Sequence, residues 1–140
     1  MAGGTLILDY LAEIDEAAGT LTGDLETLGS QLRVCVARAR EVTQWMLETQ
    51  KEAPQDVLGG ASPFLRLMGS VVGGYYLARS AAVAAAKLEA GGGDEDFLKA
   101  KVVTAKFYGD NILMPSLGLV SAIKAGAEDL YALSAEALAR

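Results

Sequence analysis

The sequence predicts an all-α protein, an up-down antiparallel bundle of three long helices with one or two shorter ones. Alanine and leucine are abundant, only three prolines occur in 140 residues, and no period-2 run of β-branched residues is present. Apolar residues recur at alternating steps of four and three, which is typical of helices packed nearly parallel to their neighbours. The length predicts one domain, spanning residues 1–140.

The first half of the chain carries the clearest stripe of apolar residues. Gly19 and Gly23 interrupt it, which indicates either two helices or one bent helix. We expect the second helix to run from about residue 24 to residue 52, because the residue before Pro54 avoids the α region. The stripe consists of Ile7, Leu11, Ile14, Ala18, Leu21, Leu25, Leu28, Leu32, Cys35, Ala39, Val42 and Met46.

The second half predicts two further helices. Ser62 and Pro63 form a favourable helix start, with serine as N-cap and proline at the first helical position. Three glycines at residues 91–93 end that helix, and three acidic residues at 94–96 suit the first turn of the next one.

Pro115 lies within the last predicted helix, which extends to about Gly126. Proline in a helix interior removes a backbone donor and costs about 3 kcal/mol, so we expect a kink that frees the carbonyl of Asn111. We interpret the kink either as a fit to a curved partner surface or as a bend satisfied within the bundle. The predicted buried stripe here is Tyr108, Ile112, Leu119 and Ile123.

Composition argues against several classes of function. The net charge is −6 and the lysines and arginines are scattered, so neither nucleic acid nor an anionic membrane is an expected partner. The apolar stretch 67–86 contains Arg79, which disfavours a membrane span. The lack of histidine excludes a Ser-His-Asp triad, a Cys-His pair and a histidine metal site within the chain. A single cysteine, Cys35, suits a reducing compartment, and we expect a cytoplasmic location.

No catalytic, cofactor-binding or metal-binding residue emerges from the pattern, but interface candidates do. Gly69, Gly73 and Gly74 form a small-residue surface that lets another backbone approach, either from a partner or inside the bundle. Tyr75 and Tyr76 follow it, with arginines nearby that could bind a phosphate or pair with acids of neighbouring helices. Pro115 is the remaining interface candidate.

Three blocks of the sequence, residues 26–48, 59–81 and 101–133, share a set of local patterns with a known family. They show a helix ending in a tryptophan, a proline-started helix with a Gly-Gly pair before an aromatic residue, and an Ala-x-Phe-Tyr group followed by a proline and a closing Gly-Ala. Together they resemble the C-terminal extension domain of large bacterial acyl-CoA dehydrogenases, in the subgroup that includes 3-methylmercaptopropionyl-CoA dehydrogenase.

The resemblance implies a parent enzyme that uses FAD to dehydrogenate an acyl-CoA thioester. The family's catalytic glutamate and main flavin contacts lie upstream of this domain, and no position here matches them. The resemblance therefore implies a C-terminal fragment without catalysis or bound flavin of its own, whose partners are the rest of the dehydrogenase chain and further copies in a homo-oligomer. The alternative is a stand-alone helical scaffold that dimerises through Gly69, Gly73 and Gly74.

Overall fold

The computed structural model describes residues 4–140, and within that range the regular structure is helical throughout. A 3₁₀ turn, Gly23–Leu25, precedes α2, and a π turn, Gly109–Leu113, and a 3₁₀ turn, Met114–Gly118, follow α5. The helices are α1 Thr5–Gly19, α2 Glu26–Thr49, α3 Pro54–Gly59, α4 Ala61–Glu89, α5 Glu95–Tyr108, α6 Leu119–Ile123, α7 Glu128–Tyr131 and α8 Ala135–Leu138.

Helices α1 and α2 pair antiparallel. The Arg33 guanidinium donates to Asp15 Oδ1 at 3.2 Å, and further along Arg40 donates to the Leu8 carbonyl at 3.4 Å. Across these two contacts the residue numbers rise along α2 as they fall along α1, so the two helices run in opposite directions. The first residue before α1, Gly4, completes the pairing against Leu47.

Helix α4 pairs with α5 and α6 in the same antiparallel sense. The Tyr108 hydroxyl donates to the Ser70 carbonyl at 3.0 Å, while Gly60, just before α4, contacts the backbone of Ile123. The helical structure of the described residues confirms the all-α prediction. The regular up-down order of a bundle stays a prediction.

The core is shared by helices from both halves of the chain. Its largest fully buried side chains include Leu11 from α1, Leu32 from α2, Leu67 from α4, Leu113 from the π turn and Ile123 from α6. The predicted stripe of α1 and α2 matches this core closely. Nine of its residues are buried: Leu11, Ile14, Ala18, Leu25, Leu28, Leu32, Cys35, Ala39 and Val42.

The predicted helix boundaries around Pro54 and Pro63 are shifted by a few residues. Helix α2 ends at Thr49, before the predicted residue 52, and Pro54 occupies the first turn of α3. Helix α4 begins at Ala61, two residues before Pro63. Pro63 lies within the first turn of α4, where a backbone N–H has no partner inside the helix, so its missing donor costs little. Gly91, at φ +70°, follows the end of α4 as predicted.

The last long helix differs from the prediction around Pro115. Regular α geometry ends at Tyr108 and a π turn and a 3₁₀ turn replace it as far as Gly118. A π turn holds one extra residue, so it rotates the buried face. Ile112, predicted to be buried, is 45% exposed, and Leu113 is fully buried instead. A change in helix direction at Pro115 stays a prediction.

Candidate interface surfaces

The three glycines of the predicted small-residue surface face different surroundings. A Cβ added to Gly73 would lie 2.6 Å from the Tyr108 hydroxyl oxygen, and one on Gly74 would lie 3.2 Å from Leu32 Cδ2. These two glycines therefore allow close packing within the chain. Gly69 has open space around it and is exposed.

Tyr75 belongs to a cluster that ties α4 to α1. Its ring is buried, its hydroxyl donates to Glu13 Oε1 at 3.1 Å, and it meets the Tyr10 ring edge-on at 6.2 Å between centroids. Burial, followed by the Glu13 carboxylate, raises the pKa of Tyr75. Burial also raises the pKa of Tyr10 to about 12, with a hydrogen bond to Tyr76 acting in the same direction.

Tyr76 and Arg79 form the outer part of this cluster. Tyr76 is 56% exposed, and its ring centroid lies 5.4 Å from that of Tyr75. The Arg79 guanidinium lies over both rings, 5.5 Å from the Tyr75 centroid and 6.0 Å from the Tyr76 centroid. Arginine and tyrosine are both enriched at protein interfaces.

Pro115 is exposed, but the backbone just before it is held from inside. The Leu113 carbonyl accepts a hydrogen bond from the Ser116 hydroxyl at 2.6 Å and a weak one from the Cys35 thiol at 3.6 Å. The predicted burial of Cys35 is confirmed, and burial raises the pKa of its thiol to about 11. A thiol with this pKa is not a nucleophile near neutral pH.

A groove of about 710 Å³ lies between the loop after α1, the end of α4 and α5, and no pattern in the sequence predicts it. Three alanines of α4, Ala82, Ala85 and Ala86, leave its floor shallow and apolar. Lysine and acidic side chains share the rim: Lys99 pairs with Glu95, and Asp24 and Glu89 also line the groove. The balance of charges does not favour an anionic or a cationic ligand.

Two further results concern the described range as a whole. Among the helices of residues 4–140, none combines the length and apolar character that crossing a bilayer requires. In the same range, no three acidic or cysteine side chains meet in a way that could hold a metal ion.

Comparisons with known proteins agree with the resemblance seen in the sequence. A family model described as "Acetyl-CoA dehydrogenase C-terminal like" matches residues 10–134. The 3-methylmercaptopropionyl-CoA dehydrogenase of Ruegeria pomeroyi is 39% identical to this chain over 69 residues. That alignment covers 49% of this chain and 12% of the relative, so the chain corresponds to a small part of a much longer protein.

Proposed function

Because this chain belongs to the family of acetyl-CoA dehydrogenase C-terminal-like domains, we propose that it is the helical C-terminal domain of an FAD-dependent acyl-CoA dehydrogenase. Its role in that enzyme is to pack on the catalytic body and to help assemble the oligomer. The observation that carries this proposal is the family match, which runs over residues 10–134 and so includes all of α2, α4 and α5 and most of α1.

The distribution of side chains supports packing as the role. Large apolar residues that are more than half exposed occur on α4, on α5 and near the C-terminus, which suits a domain that is covered by a partner. They include Leu65, Val83, Phe97, Val103, Phe107, Leu130 and Tyr131. In the parent enzyme these positions would contact the rest of the dehydrogenase chain or another copy.

The described residues do not fit FAD. The groove beside α5 has two lysines on its rim, but Lys99 is already paired with Glu95, and Asp24 and Glu89 would face the flavin pyrophosphate. In the parent enzyme FAD would supply the hydride acceptor for the dehydrogenation of an acyl-CoA thioester. Purified residues 4–140 are expected to be colourless, and a flavin absorbance that survives gel filtration would contradict this.

A blot of the source cells tests the proposal. An antibody raised against this domain is expected to reveal a cytoplasmic band several times heavier than 14.6 kDa, which is the mass of this chain. A single band at the mass of the chain itself would contradict the proposal, and it would support a free-standing scaffold. A variant in which the epitope is deleted serves as the control for antibody specificity.

A further inference from the structure

The surface formed by α3 and α7 exposes large apolar residues around a hollow. Leu58 of α3 is 70% exposed, and Leu130 and Tyr131 of α7 are 65% and 69% exposed. A hollow of about 460 Å³ lies between the two helices, and Asp56, Glu128 and Tyr131 are among the residues that line it. We call this surface the α3–α7 face. It consists of Asp56, Leu58, Glu128, Leu130 and Tyr131.

Contacts between the two helices hold this face together. The Asp56 carboxylate accepts a hydrogen bond at 2.8 Å from the N–H of Ala127, the residue just before α7. A Cβ added to Gly59 would lie 3.2 Å from the Gly126 carbonyl oxygen and 3.3 Å from Leu130 Cδ1. Helix α7 is therefore packed against α3, and its exposed residues are held beside those of α3.

The α3–α7 face lies at the end of the domain at which α1 begins. Gly4, the residue before α1, packs against Leu47 near the end of α2. Only residues 50–53 separate α2 from α3, so α3 and the start of α1 lie at the same end. In the parent enzyme, the polypeptide that precedes residue 4 therefore joins the domain beside this face. Because the alignment above covers only 12% of the relative, most of such a parent chain lies outside this domain.

Charge indicates the chemistry of the partner. Residues 52–60 contain two acidic residues and residues 126–139 contain three, while neither segment contains a lysine or an arginine. The charged residues that line the hollow, Asp56 and Glu128, are both acidic. A lysine or arginine that enters the hollow would find carboxylates there, with apolar side chains around them. The same charges would repel an anionic lipid surface.

We propose that the α3–α7 face is the surface by which this domain docks on the preceding part of the parent chain. The partner surface presents apolar side chains around a lysine or arginine that reaches into the hollow. This proposal rests on the proposed function, since it identifies the surface that packs on the catalytic body. The face can be smaller than the roughly 800 Å² per partner of a stable complex, because a covalent link makes the docking intramolecular.

Hydroxyl-radical footprinting tests where the domain docks. It compares the parent polypeptide, captured from the source cells, with the isolated chain of 140 residues. Leu58, Leu130 and Tyr131 are expected to be oxidised about fivefold or more slowly in the parent, because a docked surface excludes water. Val34 and Ile112, which are 47% and 45% exposed outside the face, are the internal control and react at the same rate in both samples.

Two charge variants of the parent sharpen the test. Leu58→Arg places a cation against a partner surface that is apolar and cationic, so Leu130 and Tyr131 are expected to react as fast as in the isolated chain. Val34→Arg is the matched control, because it adds the same charge outside the face, and it leaves both residues protected. Circular dichroism melting of the isolated chain with each substitution confirms that the variant is folded.

The proposal is overturned if the face reacts equally fast in the parent and in the isolated chain, or if Leu58→Arg leaves Leu130 and Tyr131 protected. Equal protection of Val34 and Ile112 would overturn it as well. Protection that develops in the isolated chain as its concentration is raised would assign the face to a second copy, against the proposal. In each of these cases a heavy band on the blot would leave the domain assignment intact, whereas a band only at the mass of the chain itself would overturn both.

Discussion

Helix α2 and the segment from Gly109 to Ile123 both place side chains in the core, but with different backbone geometry. Helix α2 is regular over 24 residues and buries Leu28, Leu32, Cys35, Ala39 and Val42 at steps of four and three. The other segment passes from a π turn to a 3₁₀ turn and then to α6. The comparison shows that buried residues can keep a helical spacing through irregular backbone.

The buried residues of this segment nevertheless keep close to the helical period. Ala105, Gly109 and Leu113 are separated by two steps of four, and Ser116 follows after three. These steps stay close to the roughly 3.6 residues per turn of an α-helix. Pro115 follows directly, and because it has no N–H, the normal α-helical hydrogen bond to Asn111 cannot form there.

Truncation of Leu113 is the most severe test of which side chain of this segment fills the core. Leu113→Ala should lower the free energy of unfolding by about 2–5 kcal/mol, because a fully buried side chain leaves a cavity. Its neighbour Ile112 is 45% exposed, and Ile112→Ala should cost less than about 1 kcal/mol. Urea denaturation measures both variants. If Ile112→Ala were the more costly change, Ile112 and not Leu113 would be the core residue of this segment.

Glycines at helix contacts test how closely the two regions pack. A Cβ on Gly29 of α2 would lie 2.6 Å from the Ala18 carbonyl oxygen, and one on Gly60 would collide with the Ile123 carbonyl. Gly29→Ala and Gly60→Ala should each cost about 1–3 kcal/mol, because the obstacle is backbone and not a mobile side chain.

Gly69→Ala is the matched control for these variants. No neighbour lies within 4 Å of its added Cβ, so alanine should stabilise the protein by about 0.5–1 kcal/mol through its higher helix propensity. Thermal melting gives the sign for all three. Equal destabilisation at the three positions would show that helix contacts are not the cause.

Two buried hydroxyl groups, one in α2 and one in the segment from Gly109 to Ile123, allow the polar contacts of the two regions to be compared. Ser116→Ala should cost about 1 kcal/mol, because the Leu113 carbonyl then loses a 2.6 Å hydrogen bond in irregular backbone. Thr43→Val in α2 should cost less, because Thr43 donates to the carbonyl four residues earlier in a regular helix, where the backbone already provides a donor. Guanidinium denaturation curves of the two variants should preserve this order. A larger loss for Thr43→Val would contradict it.

Alkaline pH should weaken the contact between α1 and α4. The pKa of Tyr10 is raised from 10.0 to about 12, so the folded state holds the proton more tightly than the unfolded state. The stabilising contribution is complete below pH 10 and is lost as the pH rises toward 12. Tyr10→Phe should flatten the fall of melting temperature across this window. An unchanged slope in that variant would assign the loss to other groups.

The ion pair that joins the two regions should contribute least to the free energy of unfolding. Lys124, the residue directly after α6, contacts Glu41 of α2 at 3.1 Å. Arg38 and Lys124 both hold the pKa of Glu41 below its usual value. Exposed pairs of this kind contribute little, because solvent screens them. Lys124→Ala should leave the unfolding midpoint almost unchanged, and any small difference should disappear as acid protonates Glu41. A clear loss at neutral pH would mean that the bridge positions α6.

The regular part of the fold could be predicted, and the irregular part could not, for a physical reason. The stripe through Leu11, Leu32 and Val42 keeps a constant period, so apolar spacing alone places these residues in the core. Around Pro115 the sequence signals a disturbance, but which residue of this segment then faces the core depends on contacts with α2 and α4. The prediction therefore located the irregular segment correctly, but it assigned the core position to Ile112, which is exposed, and not to its buried neighbour Leu113.

The interface candidates show the same limit. Gly73, Gly74 and Gly69 look alike in the sequence, and only the neighbouring helices separate the first two, which pack inside, from the third, which is open.

Flavin and activity measurements on protein captured from the source cells with an antibody to this domain test the central claim most directly. The captured polypeptide is expected to carry FAD and to reduce an artificial electron acceptor when an acyl-CoA thioester is added. Captured protein that contains this domain but neither flavin nor dehydrogenase activity would contradict the assignment to an acyl-CoA dehydrogenase.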